Sequence, residues 1–281
     1  NNFLIKSEFF DGKSIIKNFL KGDSKNVLLK RFENLNSEIY LNFDNFYIDD
    51  KNYINKIIGN TIIKKNIIKS ASIIGKLNGI DELNLNIKSN SNNEKITKMY
   101  IEKPEPFLKN YKFIKGFKEG KLEYNSSEIS GVSKSKLKIY NFKVKEVPLL
   151  AKILTLASLQ GIADLLTGEG IRFDEFEMDY IKRDKNNTSI EEMYAIGPAI
   201  SILMEGYIQK KKLISLRGTL VPATTVNRTI SSIPLIGDIL VGKKVGEGVF
   251  GVSFKIKGPP GNLETTVNPI KTLTPRFITR T

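Results

Sequence analysis

Apolar and polar residues alternate with period two in short segments through much of the chain, and this restricts its fold more than any other feature. In ELNLNIKS, Leu83, Leu85 and Ile87 are separated by Asn84, Asn86 and Lys88. In SEIYLNFDNF, Ile39, Leu41 and Phe43 share one side, while Glu38, Asn42 and Asp44 mix on the other. Successive side chains of a strand point to opposite faces, so this spacing gives strands with one greasy side and one wet side. Further segments of this kind are GKLEYNSS (120–127), SKLKIYNFKVKEVP (135–148), GIRFDEFEMDYI (170–181), AISILMEGYI (199–208), KLISLRGTLVPA (212–223), GVFGVSFKIKG (248–258) and NLETTVNP (262–269). Polar or Gly/Pro turns separate them, at 90–93, 186–187, 197–198, 210–212 and 259–261. The fold class predicted is mainly β, with antiparallel strands in a curved sheet that forms an open groove.

Three stretches depart from the pattern. Residues 1–36 alternate poorly and read as short strands and turns. NTIIKKNIIKSASIIGKLNG carries Ile pairs at a spacing that suits neither strand nor helix, and KPEPF (103–107) is a break, because proline cannot join a central ladder. In the segment 135–148, Leu137 and Ile139 point one way and Tyr140, Phe142 and Val144 the other, which predicts a bulge near Tyr140 or Asn141. The longest apolar helical pattern follows. Pro148 suits a helix start, and Leu149, Leu150, Ile153, Leu154, Ala157, Ile162, Leu165 and Leu166 recur at helical spacing, with Gly161 loosening the middle and Gly168 ending it. Lys152, Gln160 and Asp164 interrupt this run, so it is too polar to cross a bilayer. Its predicted role is core packing or capping of a curved sheet, through Leu150, Ile153, Leu154, Ala157 and Leu165; a membrane-surface contact is a third reading, weakened by polar residues that are few and not strongly basic. A second short helix is predicted over 229–241.

The chain contains no cysteine and no histidine. It therefore lacks disulfides, thiolate metal sites, the commonest general base and the commonest transition-metal ligand. The net charge of +14 invites a nucleic-acid reading. The surplus is nearly all lysine, dispersed singly among Ile and Asn, and arginine is scarce, so no nucleic-acid partner is expected.

The chemical motifs are weak. GDILVGKK (237–244) fits the phosphate-loop spacing G-x-x-x-x-G-K, but Lys244 replaces the Ser/Thr that would hold Mg²⁺ and the interior is apolar. A helical turn ended by Gly242 accounts for it better. The GEG turns at 168–170 and 246–248 lack a third glycine and a following helix, which excludes a dinucleotide fingerprint. Asp174, Glu175, Glu177 and Asp179, and the pair Glu191–Glu192, are the only carboxylate clusters weighed for glycosidase or metal chemistry. Their interleaving with Phe173 and Phe176 reads as a solvated strand face. No catalytic residue, cofactor or metal ligand is assigned.

The blocks NFKVKEVPLLAKILTLASLQGIADLLTGEGIRFDEFEMDY, AIGPAISILMEGYI, GTLVPATTVN, SSIPLIGDILVG, GEGVFGVSFKIKGP and VNPIKTLTP occur in that order from Asn141 to the end. Together they resemble the C-terminal region of the AsmA-like, YhdP-type envelope proteins of Gram-negative bacteria. One departure is Arg276 after Pro275, where a glycine is expected. The resemblance implies a periplasmic protein, anchored to the inner membrane by a segment N-terminal to this one, with a hydrophobic β-groove that conveys phospholipid between the inner and outer membranes. It implies a non-enzymatic role and no cofactor. It divides the chain into 1–140, part of a β-groove region, and 141–281, the AsmA-like region, or joins both in one continuous domain. A chain that begins with Asn is also expected to be a segment or processed product. The groove residues expected are Ile39, Leu41, Phe43, Leu83, Leu85, Ile87, Phe250, Val252 and Phe254. The alternative expectation is a structural module of envelope assembly that binds outer-membrane proteins or another envelope partner.

Overall fold

Alternating segments joined by short turns pair most readily with their neighbours in sequence, and the strands of this protein do so throughout. The computed structural model describes residues 1–20, 34–108, 115–222 and 251–270. Fourteen strands form one open sheet in chain order. They are β1 (Asn2–Asp11), β2 (Ser37–Tyr47), β3 (Tyr53–Lys64), β4 (Ile67–Leu77), β5 (Asp81–Ser89), β6 (Lys95–Ile101) and β7 (Lys115–Ile129). The second half continues with β8 (Val132–Lys145), β9 (Ile171–Lys182), β10 (Asn187–Ile196), β11 (Ile200–Gln209), β12 (Leu213–Pro222), β13 (Gly251–Gly258) and β14 (Glu264–Ile270). Every neighbouring pair is antiparallel except β1 and β2, which run parallel. The division expected at 140/141 falls inside β8, and the sheet crosses it without interruption.

Four helices are described: α1 (Lys13–Leu20), α2 (Glu105–Leu108), α3 (Pro148–Leu156) and α4 (Gln160–Thr167). Residues 1–36 thus hold a full strand and a helix, not the short strands and turns the sequence suggests, and the proline break at 103–107 contains α2. The single helix expected over 147–167 is two. Ser158 at φ 60° ends α3, with Leu159 N–H donating to Leu154 O at 2.9 Å and Ser158 N–H to Thr155 O at 3.0 Å. This is a Schellman cap with serine in the left-handed position usually held by glycine. Gly161 has no part in the break. Gly168 does end α4, donating to Asp164 O at 2.8 Å. None of the described helices is long and apolar enough to cross a membrane. The helix expected at 229–241 lies outside the described residues.

All four helices sit in connections at the same rim of the sheet. That rim carries the links β2–β3, β4–β5, β6–β7, β8–β9, β10–β11 and β12–β13, and the β1–β2 link leaves from it with α1 and crosses to the opposite rim, because β1 and β2 are parallel. Apart from the end of that crossover, where Asn66 N–H donates to Leu35 O at 3.2 Å, the opposite rim has short hairpins, such as Lys65–Asn66 (φ 50° and 60°) and Ser130–Gly131 (φ 51° and 82°), whose paired positive φ values match the strand twist. The helices cover only the greasy face. α3 packs on β14 and α4 on β8, and Lys152 Nζ donates to Leu263 O at 3.4 Å. In a flat sheet β8 and β14 would lie about 29 Å apart, more than two adjoining helices of about 10 Å each can bridge. The sheet is curved around them. Leu150, Ile153, Leu154, Ala163 and Leu166 are buried there, beside Val144, Ile171, Phe173, Leu220 and Val252. Phe117, Phe142 and Phe173 stack in sequence across this floor at centroid spacings of 5.4 and 5.5 Å.

Leu154 is fully buried in this helix-to-sheet contact. Truncating it, Leu154→Ala, leaves a cavity and is expected to cost about 3 kcal/mol of stability, measured as a lowered urea midpoint.

Candidate functional site

Residues directly opposite on paired strands share a face, so the strand register identifies which side chains lie side by side. One cross-strand row runs unbroken through the sheet. It begins with Ile5, Leu41, Gly59, Ile73 and Leu85. It continues through Met99, Tyr124, Leu137 and Met178. It ends with Met193, Met204, Gly218, Phe254 and Val267. Each strand contributes one residue, and none is charged. All four methionines of the chain stand in this one row. From Ile73 to Met204 every member is half-buried, so the greasy stripe is reachable from solvent. Gly218 leaves room for the ring of Phe254, whose Cζ would lie 2.6 Å from a Cβ at that position.

The parallel row toward the helices is deeper. Phe43, Ile57, Ile101, Leu122, Ile139, Ala195, Leu220 and Val252 are buried there. Of the groove residues expected from sequence, Ile39, Leu41, Phe43, Leu83, Leu85, Ile87, Val252 and Phe254 all occupy this same face. Phe43, Val252 and Phe254 are packed floor, whereas Leu41, Leu83, Leu85 and Ile87 are partly open. Phe250 lies outside the described residues. Among the helix positions, Leu150, Ile153, Leu154 and Ala157 are buried, and Leu165 points outward at 38% exposure. Sequence reasoning missed the methionines, because each is isolated in sequence and only the register brings them into line.

The irregular spacings have a common cause. Phe43 and Phe46, Ile54 and Ile57, Ile139 and Phe142, Phe173 and Phe176, and Ile190 and Met193 are each three apart, yet all pack toward the core. Bulges lie between Asn55 and Ile58 and between Ile190 and Met193, and Lys56 and Asn141 take left-handed φ values of 49° and 52°. Each of the two bulges absorbs one residue, so Ile54 and Ile57, and Ile190 and Met193, all face inward. No register shift accompanies the bulge expected near Tyr140 or Asn141: Tyr140 and Phe142 stay in step with Lys121 and Glu119 on β7 and with Glu175 and Phe173 on β9, and Asn141 instead turns the backbone through its left-handed φ. Its effect is to return Phe142 and Val144 to the face of Leu137 and Ile139, not to send them to the other side.

The opposite face is polar, and it holds the carboxylates. Glu177 is paired with Lys136 and lies 2.5 Å from Lys138 Nζ, while Tyr194 OH donates to it at 3.0 Å. Lys136 also lies 3.1 Å from Asp179. Burial acts to raise the Glu177 carboxyl, but the hydrogen bonds from Lys136, Lys138 and Tyr194 outweigh it and hold the group below the usual carboxylate range. Burial, reinforced by the bond to Glu177, pushes the Tyr194 hydroxyl up. A charge clasped in this way ties three strands together and offers no free acid or base. Among the described residues there is no group of three or more acidic side chains placed to hold a metal ion. A depression of about 640 Å³ also opens between β10 and β13, lined chiefly by polar residues including Ser189, Tyr207, Ser215, Arg217 and Lys257. It bears no catalytic arrangement. The loop at 237–244 and the GEG turn at 246–248 lie outside the described residues, whereas Gly170 of the first GEG turn, at φ 92°, leads directly into β9.

No protein-family model, curated protein or solved structure matches this chain. The site therefore has to be read from its own geometry.

Because the Glu177 carboxyl is held low in the folded state, its contribution to stability is complete above its unfolded value near 4.5 and is lost as pH falls through the depressed folded value. Glu177→Gln is expected to destabilise the protein by about 1–2 kcal/mol at neutral pH and to flatten the acid limb of a stability profile taken by denaturant titration.

Proposed function

We propose that the protein is a non-enzymatic carrier of phospholipid, whose acyl chains lie along the half-buried row from Ile73 to Met204. The unbroken row is the observation that carries this reading: one apolar contribution per strand, no charge, partial exposure and a packed floor beneath. Transfer of hydrocarbon from water onto such a surface gains about 0.8 kcal/mol per buried CH₂. Seven strand intervals from Ile73 to Met204 give the row a contour of about 34 Å, close to the roughly 30 Å hydrocarbon thickness of a bilayer. Methionine, unbranched and polarisable, adapts to chains of differing shape without a fixed pocket. Movement along the row needs neither nucleotide nor covalent chemistry. The resemblance to AsmA-like, YhdP-type proteins supplies the setting: the periplasm of a Gram-negative bacterium, an inner-membrane anchor outside this segment, and phospholipid passing between the inner and outer membranes.

The test is native mass spectrometry and lipid extraction of the purified protein. Phospholipid is expected to co-purify, and Met193→Lys, which places a charge mid-row, is expected to reduce the bound lipid at least several-fold with little loss of stability. Lipid-free wild-type protein, or an unchanged load in the variant, refutes the proposal.

A structural role in envelope assembly is favoured by one observation. β1 is an edge strand with Phe3, Leu4, Ile5 and Phe9 exposed on its two faces, a surface suited to pairing with a strand of another protein. Photo-crosslinkers at Phe9 and at Leu85 separate the two roles. Lipid adducts at Leu85 support carriage, and protein adducts confined to Phe9 support assembly.

A further inference from the structure

Polarity changes in steps across the greasy face, from the helix-bearing rim to the hairpin rim. Next to the methionine row, on the hairpin side, lies a second unbroken row. Over β2–β5 it reads Ile39, Thr61, Ala71 and Ile87, and over β10–β13 it reads Ile190, Gly206, Leu216 and Ile256. Between them, on β6–β9, it reads Thr97, Ser126, Ser135 and Tyr180, four hydroxyls side by side. One step nearer the hairpins the same four strands carry Lys95, Glu128, Ser133 and Lys182. A run of four hydroxyls bordered by charge thus interrupts a wall that, apart from the buried Thr61, is apolar.

The hydrogen bonds within the patch have a direction. Ser135 is buried, and its Oγ donates to Ser126 Oγ at 2.9 Å. Its single proton being used, the 3.2 Å contact with Tyr124 OH requires Tyr124 to donate. The chain runs from Tyr124 through Ser135 to Ser126, whose own proton is left with no protein acceptor among the described residues. Each link polarises the next, so the last hydroxyl is a strengthened donor facing the trough. Lys95 is held 2.6 Å from Glu128, and Lys182 is exposed at the other end. The hairpins beyond add Lys65, Arg183, Lys185, Lys210, Lys211 and Lys212, all exposed.

We infer that this patch is a headgroup station, at which the phosphodiester of an anionic diacyl glycerophospholipid accepts the Ser126 hydroxyl while its acyl chains rest on Met99, Leu137 and Met178. The inference builds on the carrier reading above and adds headgroup chemistry to it. Adjacent rows on one face are about 7 Å apart along the strands, a span that a glycerol ester linkage covers. Placed this way, the phosphate meets a terminal donor and the basic rim, and the tails meet only apolar side chains. A diacylglycerol, with the same tails but a neutral hydroxyl in place of the phosphate, lacks the anionic acceptor that the donor and the basic rim favour.

The experiment incubates the full chain with dioleoylphosphatidylcholine vesicles doped with either dioleoylphosphatidylglycerol or dioleoylglycerol, re-isolates the protein, and counts bound lipids by mass spectrometry. Wild-type protein is expected to enrich phosphatidylglycerol over its share of the vesicle. The double substitution Ser126→Ala with Ser135→Ala is expected to lower that capture about five-fold, the worth of roughly one hydrogen bond, and to leave dioleoylglycerol capture unchanged. Ser126→Thr keeps a hydroxyl and is expected to keep the enrichment; equal melting temperatures for the variants exclude misfolding as the cause. Unchanged phosphatidylglycerol capture in the double variant overturns the station, as does equal enrichment of both doped lipids by wild type, and the carrier reading survives both. Failure to capture any lipid removes both together.

Discussion

The structure depends on strand register that never lets the greasy face change sides. A sheet of sequence neighbours has no second layer to correct a slip, and a one-residue shift in any pair would carry every apolar side chain beyond it to the wrong surface. The chain meets this constraint by placing irregularities where they keep the inward set inward. At the bulge between Ile190 and Met193, β10 advances one residue further than β11, and Glu191 and Glu192 take up the slack outside. The same device at Lys56 lets Ile54 and Ile57 both sink into the core. The continuous row is a consequence of these local adjustments, since without them the face would break at the bulged strands β3 and β10.

A single-layer sheet also leaves a question that a sandwich does not: what covers the apolar side. Here the covering is partial. Helices in the long connections of one rim seal the floor along that rim, and the aromatic stack of Phe117, Phe142 and Phe173 thickens it. Apart from the crossover that enters β2, the hairpin rim has connections too short to fold back. Burial therefore grades from closed to half-open across each strand, and the half-open strip is where the methionines lie. A core built for stability alone favours residues with well-defined rotamers. Flexible thioethers concentrated at the one accessible level fit a surface whose contacts change.

Much of this was legible in the sequence where alternation was strict. Leu83, Leu85 and Ile87 identify their strand and its inner face without help, and so do Ile39, Leu41 and Phe43. The arrangement of strands into one curved open sheet also follows from short turns between half-apolar segments. What was hidden has physical reasons. Inward pairs three apart, such as Ile54 and Ile57, disguise a bulged strand as neither strand nor helix. The break between α3 and α4 rests on Ser158 in a conformation that glycine prefers, so attention falls on Gly161, which has open space around it. The methionine and hydroxyl rows are properties of register between strands, and no single segment contains them. Glu177 looked like a solvated acid because its two lysines come from β8, far away in sequence.

The lysine surplus takes on a different meaning once the two rims are compared. Along the sequence it is dispersed and forms no compact cluster. Folded, part of it collects in the hairpins, at Lys65, Lys185 and Lys210 to Lys212, along the rim that the helices leave uncovered. On the outer face other lysines are consumed in strand-to-strand pairs, as Lys136 and Lys138 are with Glu177. The exposed cations therefore line the side from which the half-buried stripe is reached. Attraction of an anionic headgroup to that rim is worth about 1 kcal/mol per cation near a membrane surface and fades within a Debye length of about 8 Å at physiological salt. Under the proposed carrier role, such a field would orient a lipid at short range, headgroup toward the hairpins and tails toward the floor, without any residue having to move.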